Sequence, residues 1–349
     1  MRFFNRLWYI AALCLFAVLI CEFYLAAQGR CIGAKQTIFA YFTPQERRFR
    51  EYVGWANRCE YVYNSEEDPD VVIRLWPDGM RECRPDRDKR TDFCAAFIGC
   101  SCTFGEGVRA EDTEVWRLNE RYPEVVFDNW GVCGWGPVQM YARLEQLLNG
   151  GEREYKLVVY NMIDDHKFRN YVPRALGSLE GNAGYVCCPY GNYDALGRYR
   201  LHYAPDLRWP GEDNLLTVNL LKRFRYARCT ELFQQRYDRE VCRGKDLENA
   251  CGCYFEIVEK MRRLCAERGA AFLVCDLQPR GFNDNIIRDA RFKSECINVD
   301  HPRSREAALH VKGEMRNHPG GEVHAYWADR FAEWFDRRYK GYFHERTQI

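Results

Sequence analysis

A serine between two cysteines in a glycine-containing turn is the first candidate for chemistry in this sequence. Residues 97–108 read FIGCSCTFGEGV, so apolar residues lead into Gly99, Ser101 follows, and Gly105 and Gly107 precede a helical pattern. A serine at such a turn can present its hydroxyl at the end of a sheet, with its own backbone N–H facing a reacting carbonyl. A structural turn serine is the alternative. We predict that Ser101 is a nucleophile.

A serine hydroxyl is a weak nucleophile at neutral pH and needs a base. Of seven histidines, His318 is the preferred candidate, because its His-Pro turn in NHPGGEVHAYWADRF places it on a loop before an amphipathic C-terminal helix. His301 is also followed by proline and is the rival. His324 lies inside the helix and is predicted to be a packing or surface residue.

Donors for a developing oxyanion are expected in two other loops. DNWGVCGWGPVQ contains three glycines, whose backbone N–H groups can approach a ligand without steric hindrance. The stretch VVYNMIDDHKFRN contains Asn161 followed by the polar cluster Asp164, Asp165 and His166. Gly134 of the first loop is an oxyanion donor or a plain turn glycine, and Asp165 and His166 of the second contact substrate or form a solvated loop.

The elements that must position these groups alternate between short apolar runs and helical patterns. Buried parallel strands read as continuous apolar runs, and alternation with helices indicates an α/β domain with a parallel sheet. In such sheets functional groups gather at the carboxyl ends of the strands. The predicted strands are FCAAFIG at 93–99, EVVFDN at 124–129, KLVVYN at 156–161 and AAFLVCD at 270–276.

Four blocks, in order along the chain, resemble those of the SGNH (GDSL-type) hydrolase superfamily. They are GCSCTFGEGV, NWGVCGWGPVQ, VVYNMIDDHKFRN and NHPGGEVHAYWADRF. The resemblance implies a flavodoxin-like three-layer α/β/α sandwich with a central parallel sheet. It also implies Ser101 as nucleophile, His318 as base, Gly134 with the Ser101 N–H as oxyanion donors, and Asn129 as the match to the family's second-block asparagine, with a direct or a loop-tying role.

The sequence departs from the family pattern at three places. Cys100 replaces the usual Asp before the serine, and Asp164 stands where the family has an oxyanion asparagine. An ionised carboxylate cannot donate a hydrogen bond, so Asp164 is protonated, or Asn161 takes its place, or the hole has two donors. The family's acid before the histidine is missing. Glu314 or Asp300 can substitute, or the site is a Ser-His dyad.

The chain opens with an apolar segment long enough to cross a membrane. Arg2 and Arg6 precede an apolar run over residues 7–27 that is broken only by Glu22. About 20 apolar residues span a bilayer as a helix, and positive charge on the short side places that side in the cytoplasm. We predict a single-pass anchor over residues 1–27, with the rest of the chain extracytoplasmic.

Two alternatives to an anchor remain open. The residues LAA before Gln28 form a passable signal-peptide cleavage site, and cleavage would give a secreted or periplasmic protein. A buried core helix is the other alternative, which the Arg-flanked start of the chain disfavours.

Two further parts follow this segment. Residues 28–92 contain a helical stretch and a hairpin pattern, DVVIRLWPDGMRECRP, and are predicted to form a lead-in with a small β appendage. Residues 93–340 form the predicted hydrolase domain. Within it, 171–245 has many turn residues and no clean period, so we predict an insertion beside the site.

Composition excludes several classes of partner. The net charge is +1, with 51 basic and 50 acidic residues interspersed, which predicts no nucleic-acid binding. The 18 cysteines include no CxxC pair, and no close pair is followed by histidine at zinc-site spacing, so we predict no metal and no cofactor. Some disulfides are expected outside the cytoplasm. Cys100 and Cys102 are predicted to pack beneath the turn in preference to redox chemistry.

The features together predict a serine esterase or acyl hydrolase. Its substrate would be a small-molecule or glycan O-acyl ester outside the cytoplasm. With a sugar hydroxyl as acceptor in place of water, the same site would be an O-acyltransferase. A catalytically degraded binding or scaffold protein is the alternative, because of Asp164 and the missing acid before His318.

Overall fold

Continuous apolar runs become the strands of one parallel sheet. The computed structural model describes residues 2–27, 53, 56–57, 60–64, 70–150, 153–171, 174–176, 186–203, 209–211, 215–218, 221, 245–277, 296–304, 306–311 and 318–344. In the central sheet the strands are β3 (Phe93–Gly99), β4 (Val125–Gly131), β5 (Tyr155–Met162), β10 (Ala271–Asp276) and β11 (Cys296–Asn298). Their order is β11-β10-β5-β3-β4, and every neighbouring pair is parallel.

Helices cover both faces of this sheet because strand residues alternate between two apolar layers. The helices that follow or flank the strands are α2 (Ser101–Phe104), α3 (Glu114–Arg121), α4 (Pro137–Gly150), α5 (His166–Tyr171), α6 (Lys245–Glu267) and α7 (Gly321–His344). On one face, Phe97 of β3 stacks edge-on against Phe331 of α7, with ring centroids 5.2 Å apart. On the other, the hydroxyls of Tyr160 in β5 and Tyr254 in α6 are 2.9 Å apart. The predicted three-layer α/β/α fold is confirmed.

The predicted appendage forms, with different pairing from the expected hairpin. Strand β2 (Val72–Leu75) pairs antiparallel with the earlier strand β1 (Tyr61–Asn64). The Pro-Asp-Gly turn closes as predicted, since the Trp76 N–H donates to the Met80 carbonyl at 2.9 Å. The residues after this turn, which were predicted to form the second strand of the hairpin, do not form one. Arg81 makes only isolated bridges, one to Leu75 of β2 and one to Asn129 of β4.

The chain forms two compact units. One comprises Met1–Trp55, Val172–Pro189 and His202–Arg243, and the other comprises Ala56–Tyr171, Tyr190–Leu201 and Gly244–Ile349. The boundary expected at residue 92 therefore differs from the structure. Residues after 55 belong with the sheet because Asn57 donates to the Gly131 carbonyl at 2.9 Å and Arg84 pairs with the buried Asp128 at 2.6 Å. The predicted insertion, 171–245, is likewise divided between the two units.

The first unit contains helix α1 (Arg2–Ala27) and two short strands, β6 (Arg174–Leu176) and β7 (Val186–Cys188), which pair antiparallel. The hairpin β8 (Tyr190–Tyr193) and β9 (Tyr199–His202) forms a further two-stranded sheet.

Within the described residues, one helix is long and apolar enough to cross a membrane: Trp8–Ala27, 20 residues with a mean hydropathy of 2.4. A signal sequence has the same properties.

Candidate active site

The turn that carries Ser101 depends on two glycines. A Cβ at Gly99, the last residue of β3, would lie 1.9 Å from Thr103 Oγ1, and one at Gly131, the last of β4, would lie 2.3 Å from the Phe104 nitrogen. No side chain fits at either position, so the short helix α2 can fold directly over the ends of both strands. Ser101 is its first residue and is 6% exposed.

His318 lies beside Ser101 although it is 217 positions later in the chain. Its Nε2 lies 2.7 Å from Ser101 Oγ, a normal hydrogen-bond distance. The histidine is held just before α7, because its carbonyl accepts from the Val311 N–H at 3.0 Å and Gly320 N–H donates to the Leu309 carbonyl at 2.8 Å. If Nε2 accepts the serine proton, the ring proton must be on Nδ1.

Asn129 braces the nucleophile turn. It is fully buried, its Nδ2 donates to the Thr103 carbonyl at 2.8 Å, and its Oδ1 accepts from the Gly131 N–H at 3.0 Å. Of the two roles expected for this residue, the loop-tying one fits these contacts. Both ends of its amide bind backbone, and the direct role in substrate binding stays a prediction.

Gly134 lies in the loop after β4 with a left-handed backbone, φ 75°, that favours glycine. The loop is fixed on both sides of this residue. The Trp135 N–H donates to the Val132 carbonyl at 3.2 Å, and the Gly136 N–H donates to Gln139 Oε1 at 2.9 Å. Arg169 of α5 donates to the Trp135 carbonyl at 3.1 Å. A loop held in this way can keep a backbone N–H in a fixed direction.

The contacts of Asn161 do not suit an oxyanion donor. It is fully buried near the end of β5, and its Nδ2 donates to Glu114 Oε2 at 2.9 Å. The alternative in which Asn161 replaces the missing oxyanion asparagine therefore does not fit the structure. Asp164 and Asp165 lie between the same strand and α5, and they form ion pairs with residues of that helix, Asp164 with Lys167 and Asp165 with Arg169 at 3.4 Å. Paired with a buried lysine, Asp164 is an acceptor.

A buried polar cluster lies between α3, β5 and α7. Besides its bond to Asn161, Glu114 donates its backbone N–H to His324 Nδ1 at 3.3 Å. Burial raises the pKa of the Glu114 carboxyl to about 8, against the lowering effect of the Asn161 hydrogen bond. Burial also lowers the pKa of His324 to about 3, helped by nearby positive charges on Arg117 and Arg81 and by His318. His324 is a packing residue, as predicted.

Two thiols flank the nucleophile. Cys100 and Cys102 are buried, and the Cys102 hydrogen bond, with His166 nearby, holds the pKa of the Cys100 thiol well below its usual range. His166 is itself fully buried, with Nδ1 2.7 Å from the Tyr160 hydroxyl. Its ring stacks on Tyr160 inside the domain, so His166 does not form the solvated loop that was one of its two expected roles, and substrate contact stays a prediction.

The expected disulfides are not found among the twelve cysteines whose side chains the structure describes. Several of them, such as Cys94 and Cys275, are strand residues buried in the sheet, where they pack as small apolar side chains. Within the same described part, no group of three or more His, Cys, Asp or Glu side chains is placed to hold a metal ion.

The candidate acids have different outcomes. Glu314 lies outside the described residues. Asp300 follows β11, and its backbone N–H donates to Asn298 Oδ1 at 2.9 Å.

The rival base, His301, accepts from the Arg303 N–H through Nδ1 at 3.1 Å, and its ring packs edge-on against Tyr326 with centroids 4.8 Å apart. His301 therefore stabilises a turn, and His318 is the histidine beside Ser101.

The sequence did not single out Glu114, Lys167 or Arg169. A glutamate in the first turn of an amphipathic helix is typical of a solvated residue near the positive helix end, so nothing marked Glu114 as buried. Arg169 lies one turn after Asp165 and looks like half of an exposed helical ion pair. Its contact with the 134–136 loop is visible only in three dimensions.

The structural comparisons find esterases and acylhydrolases, while no protein-family model and no curated protein matches the chain. A member of the lipolytic protein G-D-S-L family from Veillonella parvula is 12% identical, with a TM-score of 0.39, and the match covers 70% of this chain and 99% of that one. A psychrotrophic esterase from Pseudoalteromonas sp. is 11% identical, with a TM-score of 0.39 and coverage of 70% and 100%.

An acetylxylan esterase from Geobacillus stearothermophilus is 16% identical, with a TM-score of 0.27, and the match covers 70% of this chain and 94% of that one.

Proposed function

We propose that this protein is a membrane-anchored serine hydrolase that cleaves O-acyl esters, with Ser101 as nucleophile and His318 as general base. The observation that carries the proposal is the 2.7 Å contact between Ser101 Oγ and His318 Nε2 at the carboxyl end of the sheet. A hydroxyl within hydrogen-bond reach of an imidazole is the arrangement that activates serine for acyl transfer.

The reaction follows from this geometry. Ser101 Oγ attacks the ester carbonyl while its proton moves to His318 Nε2. The tetrahedral intermediate collapses, the bond to the alcohol oxygen breaks, and the imidazolium returns the proton to the departing alcohol. Water then attacks the acyl-serine, again with His318 as base, and releases the carboxylic acid. If a sugar hydroxyl replaces water, the acyl group is transferred instead.

The oxyanion is assigned to two backbone donors. Ser101 opens helix α2, so its N–H belongs to the first-turn donors that have no intrahelical partner. Gly134 supplies the second N–H from a loop fixed by neighbouring hydrogen bonds. Asp164 is an ion-paired acceptor and is not assigned a donor role. The orienting acid is assigned to Asp300 or Glu314.

The substrate is proposed to carry a short acyl group, such as an acetyl ester on a glycan. With Ser101 only 6% exposed, a compact acyl group reaches the hydroxyl with less rearrangement than a long chain. A series of p-nitrophenyl esters from acetyl to octanoyl tests this point. The value of kcat/KM is expected to fall as the chain lengthens.

The first test of the whole proposal uses the full chain in detergent, as wild type and as Ser101→Ala. Both are treated with a fluorophosphonate probe and assayed on p-nitrophenyl acetate. Labelling and turnover are expected in the wild type and not in the variant. Because removal of one triad member typically costs several orders of magnitude in kcat, retained turnover in Ser101→Ala would exclude Ser101 as nucleophile.

The histidine is tested separately with His318→Ala and the matched control His301→Ala. Loss of turnover in the first and retention in the second is the expected pattern, and the reverse would assign the base to His301. If folded wild type neither labels nor turns over, the degraded binding-protein alternative is favoured.

A further inference from the structure

One charged side chain lies within the apolar run of the first helix. Residues 7–27 contain no Asp, Lys, Arg or His, and Glu22 is their single acid. An ionisable group inside a bilayer is costly and usually binds a partner from the same protein. Glu22 is half-buried, whereas its neighbours Cys21 and Phe23 are exposed. Glu22 therefore faces protein while the helix around it faces outward.

The partner of Glu22 is the segment around residue 216. Its carboxylate accepts from the Leu216 N–H at 2.8 Å and from the Thr217 N–H at 2.6 Å, and it also binds the Thr217 hydroxyl. These donors open the helical turn over residues 216–218. The two segments belong to one compact unit. Glu22 thus joins the first helix to a segment almost 200 positions later in the chain.

The position of Glu22 along the helix sets the depth of this contact. At 1.5 Å per residue, Glu22 lies about 7 to 8 Å from the helix end at Ala27. The apolar run spans about 30 Å, which matches the hydrocarbon core of a bilayer. The segment bound to Glu22 would therefore lie at the depth of the outer acyl chains, just below the headgroups.

The composition of that segment suits this depth. Residues 215–221 read LLTVNLL, and Lys222 and Arg223 follow at once. Leu221 is 60% exposed. A short apolar stretch next to basic residues is typical of segments that lie in the membrane interface.

We propose that the segment that carries residues 215–218 and Leu221 inserts into the lipid beside the first helix as a second membrane contact, fixed by Glu22. The partner is the lipid acyl chain. It follows that the first helix is kept in the mature protein, because cleavage before Gln28 would remove the carboxylate that holds the segment. This inference rests on the proposed membrane anchor and is independent of ester hydrolysis.

The test places a photoreactive benzophenone amino acid at position 221 of the full chain, reconstituted in phosphatidylcholine vesicles with alkyne-tagged acyl chains. Position 19 on the helix, where Leu19 is 57% exposed, is the positive control. Position 196 in the β8–β9 turn, where Leu196 is 74% exposed, is an equally apolar comparison site. Lipid adducts are expected at positions 221 and 19, and not at 196.

Glu22→Ala is expected to lower the adduct at 221 by about tenfold, the effect of losing hydrogen bonds to a charged group. Glu22→Gln keeps a carbonyl acceptor, so its adduct yield at position 221 is expected to lie between those of the wild type and Glu22→Ala. Fluorophosphonate labelling of Ser101 in each variant reports whether the catalytic domain is folded.

Four outcomes would overturn the inference. Adducts at 19 but none at 221 would place the segment in water, and a protein adduct at 221 in place of a lipid adduct would make it a protein interface. An N-terminus at Gln28 in the purified protein would show that the helix is removed. A failure at position 19 as well would overturn the anchor itself, while hydrolysis of esters would still be measured separately.

Discussion

Glu114 and His324 are joined across two helices, with the Glu114 backbone N–H donating to His324 Nδ1 at 3.3 Å. Both side chains are buried and both are held neutral, the acid by a pKa raised to about 8 and the imidazole by a pKa lowered to about 3. Because α7 begins three residues after His318, this contact fixes the helix that positions the proposed base. The pair also makes the stability of the domain depend on pH in two opposite directions.

The first prediction concerns Glu114→Gln. The folded state favours the protonated carboxyl, so its stabilising contribution is complete below pH 4.5 and is lost as pH rises through about 8. Over that window the wild type should lose up to about 1.4 kcal/mol of unfolding free energy per pH unit from this group. Glu114→Gln keeps an acceptor for Asn161 without the charge and should remove this slope.

Urea unfolding of both proteins between pH 4.5 and 8.5 measures the effect. The variant should be more stable than the wild type by an amount that grows toward pH 8. Parallel curves for the two proteins would mean that Glu114 is ionised in the folded state.

The second prediction concerns His324→Asn, in which the amide oxygen can accept from the Glu114 N–H in place of Nδ1. The folded state favours neutral His324, so its contribution is complete above pH 6.5 and is lost as pH falls toward 3. The variant should be less stable at pH 7 because the smaller side chain leaves a cavity. The unfolding free energy that the variant loses between pH 6.5 and 3 should nevertheless be smaller than the loss in the wild type.

Acid unfolding followed by circular dichroism is the measurement. His301→Asn is the comparison, because His301 also lies in the turn region before α7 but its Nδ1 binds the Arg303 N–H. An unchanged acid slope in His324→Asn would refute the prediction.

The third prediction concerns Gly99→Ala. The added Cβ would meet Thr103 Oγ1 at 1.9 Å and the Asn161 carbonyl at 3.3 Å, so the nucleophile turn must shift. Overpacking of this kind typically costs about 1 to 3 kcal/mol. Turnover should fall by more than the loss of folded protein accounts for, because Ser101 moves with the turn.

Gly150→Ala is the matched control. Gly150 ends helix α4, and nothing lies within 4 Å of a Cβ placed there. Its unfolding free energy should stay the same or rise by up to about 1 kcal/mol. Equal behaviour of the two alanine variants in turnover and melting would show that the turn tolerates a side chain.

The fourth prediction concerns Asn129. Replacing it with Ala removes a donor to the Thr103 carbonyl and an acceptor for the Gly131 N–H, both buried. An unmet buried hydrogen-bonding group costs about 1 to 3 kcal/mol, so we expect a lower melting temperature together with a lower kcat. KM should change little, because both ends of the Asn129 amide bind backbone. A raised KM at unchanged stability would restore the substrate-binding role.

The sheet was predictable because strands that are buried on both faces appear in the sequence as continuous apolar runs. The run FCAAFIG coincides with β3 at both ends. Strand β11 was missed because its three residues, Cys-Ile-Asn, are too few to make a pattern. Helix α6 ends at Glu267, two residues before Gly269, whose φ of 72° cannot continue helical geometry.

The site was less predictable than the sheet, for a geometric reason. The end of a strand places a residue at the correct edge, but the direction of its side chain depends on strand phase and on what packs above it. Asn129 and Asn161 are both at such ends, yet one binds the turn backbone and the other binds Glu114. The contact between Ser101 and His318 was predicted from the order of the four sequence blocks along the chain. The resemblance of these blocks to a known family implies which of them meet in the folded domain.

Those two residues are 217 positions apart in the chain. At translation speeds of about 5 to 20 residues per second, the nucleophile leaves the ribosome between about 10 and 40 s before the base. A nascent chain therefore carries an unactivated serine through synthesis, and the pair assembles when the last helix docks. If the proposed function is correct, the protein would begin to hydrolyse esters only after its synthesis is complete.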